Sequence, residues 1–113
     1  MKSTKVFFQN KKILIYGYGK TGKSAFNFLK KKNSLKVFDD NSPLTNLPYN
    51  KKFARGSDRV SNFDYILLSP GINYKKCLLS NEILENKEKI ISDLDVFYKS
   101  FPENFFITIT GTN

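Results

Sequence analysis

The feature that most constrains this chain is an apolar run that breaks directly into a glycine turn. Ile13-Leu14-Ile15-Tyr16 is continuous and hydrophobic, and it gives way at once to Gly17-Tyr18-Gly19-Lys20-Thr21-Gly22, a G-x-G-x-x-G pattern. A strand that is apolar on both faces is the mark of a parallel sheet covered by helices. Beyond the turn, Ala25, Phe28 and Leu29 fall at i, i+3 and i+4, which predicts an amphipathic helix over residues 21–32. In such a turn the first glycine permits the tight bend and the second lets a ligand approach the backbone. The third lets helix and strand pack closely. The free amides of the helix N-terminus favour an anionic group.

The same alternation continues along the chain. Residues 35–38 read as a second strand closed by Asp39-Asp40-Asn41, and 41–50, with Pro43 and Pro48, read as a surface loop. Residues 53–54 read as a short third strand and 65–68 as a fourth, which ends at Ser69-Pro70-Gly71. Residues 77–86 are predicted helical with Leu79 and Ile83 on one face, and 89–91 form a fifth strand. Ser92 and Asp95 are spaced as a capping box for a last helix striped by Leu94, Phe97 and Tyr98. Residues 105–110 read as a further strand that runs into Gly111-Thr112-Asn113. The expected fold class is α/β, a Rossmann-like open parallel five-stranded sheet flanked by helices. The expected domain is 1–103, with a boundary near Pro102–Asn104, and 104–113 is expected to open the next domain.

Asp39 ends the second strand 22 residues after Gly17, where a dinucleotide-binding chain places an acid for a ribose hydroxyl. Ser69-Pro70-Gly71 follows the fourth strand. In an open α/β sheet ligands bind beyond the C-terminal strand ends, so these loops are expected to converge on one crevice. Plainer readings stand beside these: three glycines that only shape a loop, two solvated acids at a strand end, and an ordinary Ser-Pro-Gly turn. The glycine motif does not settle which nucleotide binds.

Composition removes several classes of chemistry. With no His and the single Cys77, the 113 residues hold no disulfide framework, no Cys-rich zinc site and no His-dependent catalysis. Apolar runs of four or five residues are too short to span a membrane, and the first ten residues lack a signal-peptide stretch, so a reduced cytoplasm is expected. The net charge of +9 invites a nucleic-acid reading. However, 17 of the 19 cations are Lys and they are spread along the chain, as on a solvated surface.

Five segments in order, GYGKTGKS at 17–24, VFDD at 37–40, LLSPGI at 67–72, IISDLDVFY at 90–98 and ITITGTN at 107–113, resemble the Mur ligases of peptidoglycan synthesis. Within that family the Thr21 and Ser24 form of the glycine turn is similar to the D-glutamate-adding branch. The resemblance covers residues 12–113 and implies a monomeric, cytoplasmic three-domain ligase. Its N-terminal domain would hold the UDP part of UDP-N-acetylmuramoyl-L-alanine. Its central domain would use ATP and Mg2+ to activate the substrate carboxylate as an acyl phosphate, which D-glutamate then attacks. Nucleic acid and membrane are not implied partners. By position, Gly19, Lys20 and Thr21 would face the diphosphate, and Asp39, Asp40 and Asn41 the uridine. Ser69, Pro70 and Gly71 would line the uracil or diphosphate side. Gly111, Thr112 and Asn113 would open the ATP loop.

The family often carries Arg where this chain has Asn41, which puts the uracil contact there in question. The resemblance also implies that these residues are an N-terminal part with no catalytic residue of their own. An NAD(P)-binding Rossmann domain of a dehydrogenase or ligand-sensing regulator fits the glycine turn and Asp39 equally well. It leaves SPGI, SDLDVF and ITGTN unexplained. A basic nucleic-acid-binding module has only the net charge in its favour.

Overall fold

A computed structural model describes residues 8–100, with the side chains of the last helix described as far as Val96. The elements in chain order are β1 (Lys12–Tyr16), α1 (Lys20–Leu29), β2 (Ser34–Phe38), β3 (Tyr65–Leu68), α2 (Ser80–Glu85), β4 (Ile90–Ile91) and α3 (Asp93–Ser100). The four strands form one parallel sheet in the order β2-β1-β3-β4. The chain therefore steps from β1 to β2 on one side, then returns to place β3 on the other.

Alternate residues of each strand feed two cores, as the two-residue strand period requires. Ile13, Ile15, Leu35, Val37, Leu67 and Ile91 pack on one face with Ala25, Phe26 and Leu29 of α1 and Val96 of α3. Leu14, Tyr16 and Ile66 pack on the other with Phe53, Val60, Phe63 and with Leu79 and Ile83 at α2. Covering on both faces is why β1 and β3 read as apolar runs, whereas β2 is interrupted by the half-buried Lys36.

The helices differ in detail from the sequence reading. The buried stripe of α1 is Gly22, Ala25, Phe26 and Leu29, whereas Phe28 is 38% exposed. Phe26 stands four residues from Gly22 and three from Leu29, so it shares their face. Phe28 is rotated away from it. The helix stops at Leu29, where Asn33 caps it: its Nδ2 donates to the Leu29 carbonyl at 3.0 Å, and its Oδ1 accepts the Lys11 amide at 3.0 Å. In α3 the capping box forms as expected. The Ser92 amide donates to Asp95 Oδ2 at 2.9 Å and the Asp95 amide to Ser92 Oγ at 3.2 Å. Leu94, expected on the apolar stripe, is 47% exposed, and Val96 takes the buried position. The side chains of Phe97 and Tyr98 lie outside the described residues.

The expected third strand at 53–54 is reduced to a bridge between Val37 and Lys52, so the described sheet has four strands rather than five. The Phe53 amide donates to the Val37 carbonyl at 2.9 Å. The next amide, that of Ala54, turns instead to Asp58 Oδ2 at 2.7 Å, and the Ala54 carbonyl accepts the Asp58 amide at 2.7 Å. This local turn takes the chain off the sheet after one residue. The helix expected at 77–86 is confined to Ser80–Glu85 because Leu79 is non-helical, with φ −99° and ψ 23°. The expected strand at 105–110, the boundary near Pro102 and the Gly111-Thr112-Asn113 turn lie outside the described residues.

Candidate functional site

Register places the site. Tyr16, the last residue of β1, pairs with Phe38 on one side and Leu68 on the other. Gly17, Asp39 and Ser69 therefore leave the sheet side by side at its C-terminal edge. They are joined there by hydrogen bonds that continue beyond the strands. The Gly17 amide donates to the Phe38 carbonyl at 2.7 Å and the Ser69 amide to the Tyr16 carbonyl at 3.1 Å. Ser69 Oγ donates to the Gly17 carbonyl at 3.1 Å. The order of strands reverses between β1 and β3, the position at which open α/β sheets leave a crevice.

An open cleft of about 520 Å3 occupies this position. Gly19, Lys20, Thr21, Asp39, Asp40, Asn41, Ser69, Pro70 and Gly71, the residues singled out from sequence, all line it. Gly111, Thr112 and Asn113 lie outside the described residues. The glycine turn is built as the motif requires. Gly17 has a φ of +98°, and a Cβ at Gly22 would stand 2.1 Å from the Gly17 carbonyl oxygen, so only glycine lets α1 start this close to β1. A Cβ at Gly19 would meet nothing within 4 Å and would project into open space. The first intrahelical bond of α1 runs from the Lys23 amide to the Gly19 carbonyl at 2.9 Å. The preceding amides of the first turn have no intrahelical partner. No acidic side chain sits in that turn, which leaves its positive end available to an anion.

The two acids are more occupied than sequence reasoning anticipated. Asp39 Oδ2 accepts the Tyr18 amide at 2.7 Å, and its Oδ1 accepts the Asn41 amide at 2.8 Å. Its carboxylate thus ties the glycine turn to the end of β2, and each oxygen keeps a second acceptor position for a ligand hydroxyl. Asp40 Oδ1 accepts the Tyr16 hydroxyl at 2.6 Å, and Oδ2 accepts the Leu78 amide at 3.2 Å. The same Tyr16 oxygen accepts the Leu79 amide at 3.3 Å. Burial, reinforced by the Asp40 carboxylate, pushes the Tyr16 hydroxyl well above its ordinary pKa, so it stays a donor. Tyr16 was read from sequence only as the end of an apolar strand. The missed signal was a phenol on the last strand residue, whose polar tip reaches the sheet edge. Lys76, Asn73 and Cys77 also line the cleft and were not anticipated there. Among the described residues, no group of three or more His, Cys, Asp or Glu is placed to hold a metal ion.

Comparison with curated proteins now bears on this geometry. The chain is 34% identical over 94% of its length to a UDP-N-acetylmuramoylalanine--D-glutamate ligase of Rickettsia prowazekii. It is 39% identical over 91% to one of Buchnera aphidicola, and 32% identical over 94% to one of Bacillus cytotoxicus. Over nine-tenths of its length the chain is thus similar to UDP-N-acetylmuramoylalanine--D-glutamate ligases. It spans about a quarter of the length of these ligases: 25%, 24% and 26% of the three respectively. No family model matches the chain, and no solved structure matches it. Among the described residues, no helix is long and apolar enough to cross a membrane.

Proposed function

We propose that the cleft binds the UDP end of UDP-N-acetylmuramoyl-L-alanine, and that the chain is the N-terminal, substrate-anchoring part of a cytoplasmic ligase that adds D-glutamate in peptidoglycan precursor synthesis. The observation that carries this reading is the convergence of nine residues from three loops on one cleft, at the open amide end of α1. In this reading the first-turn amides of α1, among them those of Lys20 and Thr21, donate to the diphosphate, and Gly19 lets it approach the backbone. Asp39 offers its free acceptor positions to the uridine ribose. Asp40 and Asn41 border the uracil, and Ser69, Pro70 and Gly71 close the opposite side. The similarity to the ligases over more than nine-tenths of the chain supports the substrate class.

The anchor works through binding energy. Contacts to UDP, remote from the reacting carboxylate, hold that carboxylate where the rest of a ligase would act on it. ATP and magnesium supply the activation in such an enzyme. Residues 104–113 are read as the opening of the ATP-binding domain, with Gly111, Thr112 and Asn113 entering its phosphate loop.

Calorimetric titration with UDP, UDP-N-acetylmuramoyl-L-alanine and NADH tests the reading. Both uridine ligands are expected to bind and NADH is not. Binding of NADH with no response to either uridine ligand would overturn the assignment in favour of a dinucleotide-binding domain.

A further inference from the structure

A diphosphate entering this cleft meets two carboxylates, those of Asp39 and Asp40. Four donors already engage them, the Tyr18, Asn41 and Leu78 amides and the Tyr16 hydroxyl. All four are neutral, so none cancels the negative charge that the ligand faces. The cations on the cleft walls are Lys20, from the first turn of α1, and Lys76, from the loop after β3. Both are exposed. Among the described residues the one ion pair is Lys36–Asp58, remote from this cleft, so neither lysine is engaged by a carboxylate.

The backbone carrying Lys76 is fixed on both sides. Before it, Asn73 organises a turn: its Oδ1 accepts the Lys75 amide at 3.0 Å, and its carbonyl accepts the Lys76 amide at 2.9 Å. After it, the Leu78 and Leu79 amides are held by Asp40 and Tyr16 at 3.2 and 3.3 Å. Lys75, one residue away, does not line the cleft.

We propose that Lys76 is the specificity-determining cation of this site, which closes on the ligand's diphosphate from the wall facing the glycine turn. The inference rests on the diphosphate reading above. Lys76 and the α1 amides then hold the diphosphate between them, and the neutral nucleoside gains nothing from Lys76. An exposed ammonium is only modestly effective alone, but it strengthens when it donates to a doubly charged group.

The test compares UDP with uridine on the 113-residue chain by calorimetry, at low and high salt. Lys76→Met is expected to weaken UDP by about 5- to 10-fold, to leave uridine unchanged and to flatten the salt dependence of UDP affinity. Lys76→Arg is expected to restore most of the affinity. Lys75→Met removes the same net charge and is expected to leave UDP affinity as it is. Equal UDP affinities in Lys76→Met and Lys75→Met overturn the role of Lys76 and leave the cleft assignment standing. An equal loss for uridine and UDP in Lys76→Met also overturns it, since the effect would not lie on the diphosphate. A chain that binds neither UDP nor uridine overturns both readings.

Discussion

A Cβ added at Gly22 would collide with the Gly17 carbonyl oxygen at 2.1 Å, whereas one added at Gly19 would meet nothing within 4 Å. Two glycines of one turn therefore serve different ends, and alanine separates them. Gly22→Ala forces α1 away from β1. Overpacking of this kind costs about 1–3 kcal/mol, and each kcal/mol lowers Tm by roughly 4–8 °C in a domain of this size. Gly19 has a φ of −81°, which alanine adopts, so Gly19→Ala is expected to melt within a few degrees of the parent and to bind UDP more weakly. Thermal melts paired with UDP titrations check both, and a Gly19→Ala protein with unchanged UDP affinity would count against diphosphate at this turn. The same contrast marks what the sequence discloses at this scale. A glycine pattern, an acid and a Ser-Pro-Gly turn can be recognised as residues bound for one edge. That both Asp39 oxygens would already hold backbone amides depends on how two loops meet in space, and no local pattern encodes it.

Between elements, the decisive link is the Tyr16 hydroxyl, which joins the end of β1 to Asp40 after β2 and to the loop that precedes α2. Its raised pKa fixes the sign of a pH effect. The native state keeps the proton when an unfolded tyrosine, at 10.0, has lost it. This contribution to stability is therefore fully present below pH 10 and is lost as pH rises above it. Urea unfolding from about pH 8 to about pH 11 is expected to show a steeper alkaline loss in the parent than in Tyr16→Phe. At neutral pH that variant is expected to be less stable by about 1–3 kcal/mol. Parallel alkaline losses would mean that the hydroxyl is not held as a donor. Elements with a strong period or cap were legible beforehand: β1 and β3 from their apolar runs, β2 from the apolar Leu35, Val37 and Phe38 ahead of the Asp39-Asp40 close, and the start of α3 from Ser92 and Asp95. Phe28 and Leu94 misled because apolar residues two positions away, Phe26 and Val96, competed for the buried position. Helical phase is settled by packing against the sheet, not by composition. The strand expected at 53–54 failed because Asp58, four residues on, captures the Ala54 amide.

For the whole molecule, the order β2-β1-β3-β4 sets a timetable. The link from β1 to β2 joins groups 22 residues apart, such as Lys11 and Asn33, whereas the link from β1 to β3 joins groups 52 apart, such as Gly17 and Ser69. Closing the longer loop costs about 0.8 kcal/mol more in chain entropy, and parallel pairing over such distances is slow. The β1–α1–β2 unit is thus expected to assemble first, carrying the glycine turn, Asp39 and Asp40. Ser69, Gly71 and Lys76 come to the cleft only when β3 docks. In stopped-flow refolding, far-UV circular dichroism is expected to recover ahead of the capacity to bind a fluorescent UDP analogue. Simultaneous recovery would show that the sheet closes in one step. A chain newly emerging from the ribosome would then carry its anion-facing turn for some time before it possessed a pocket.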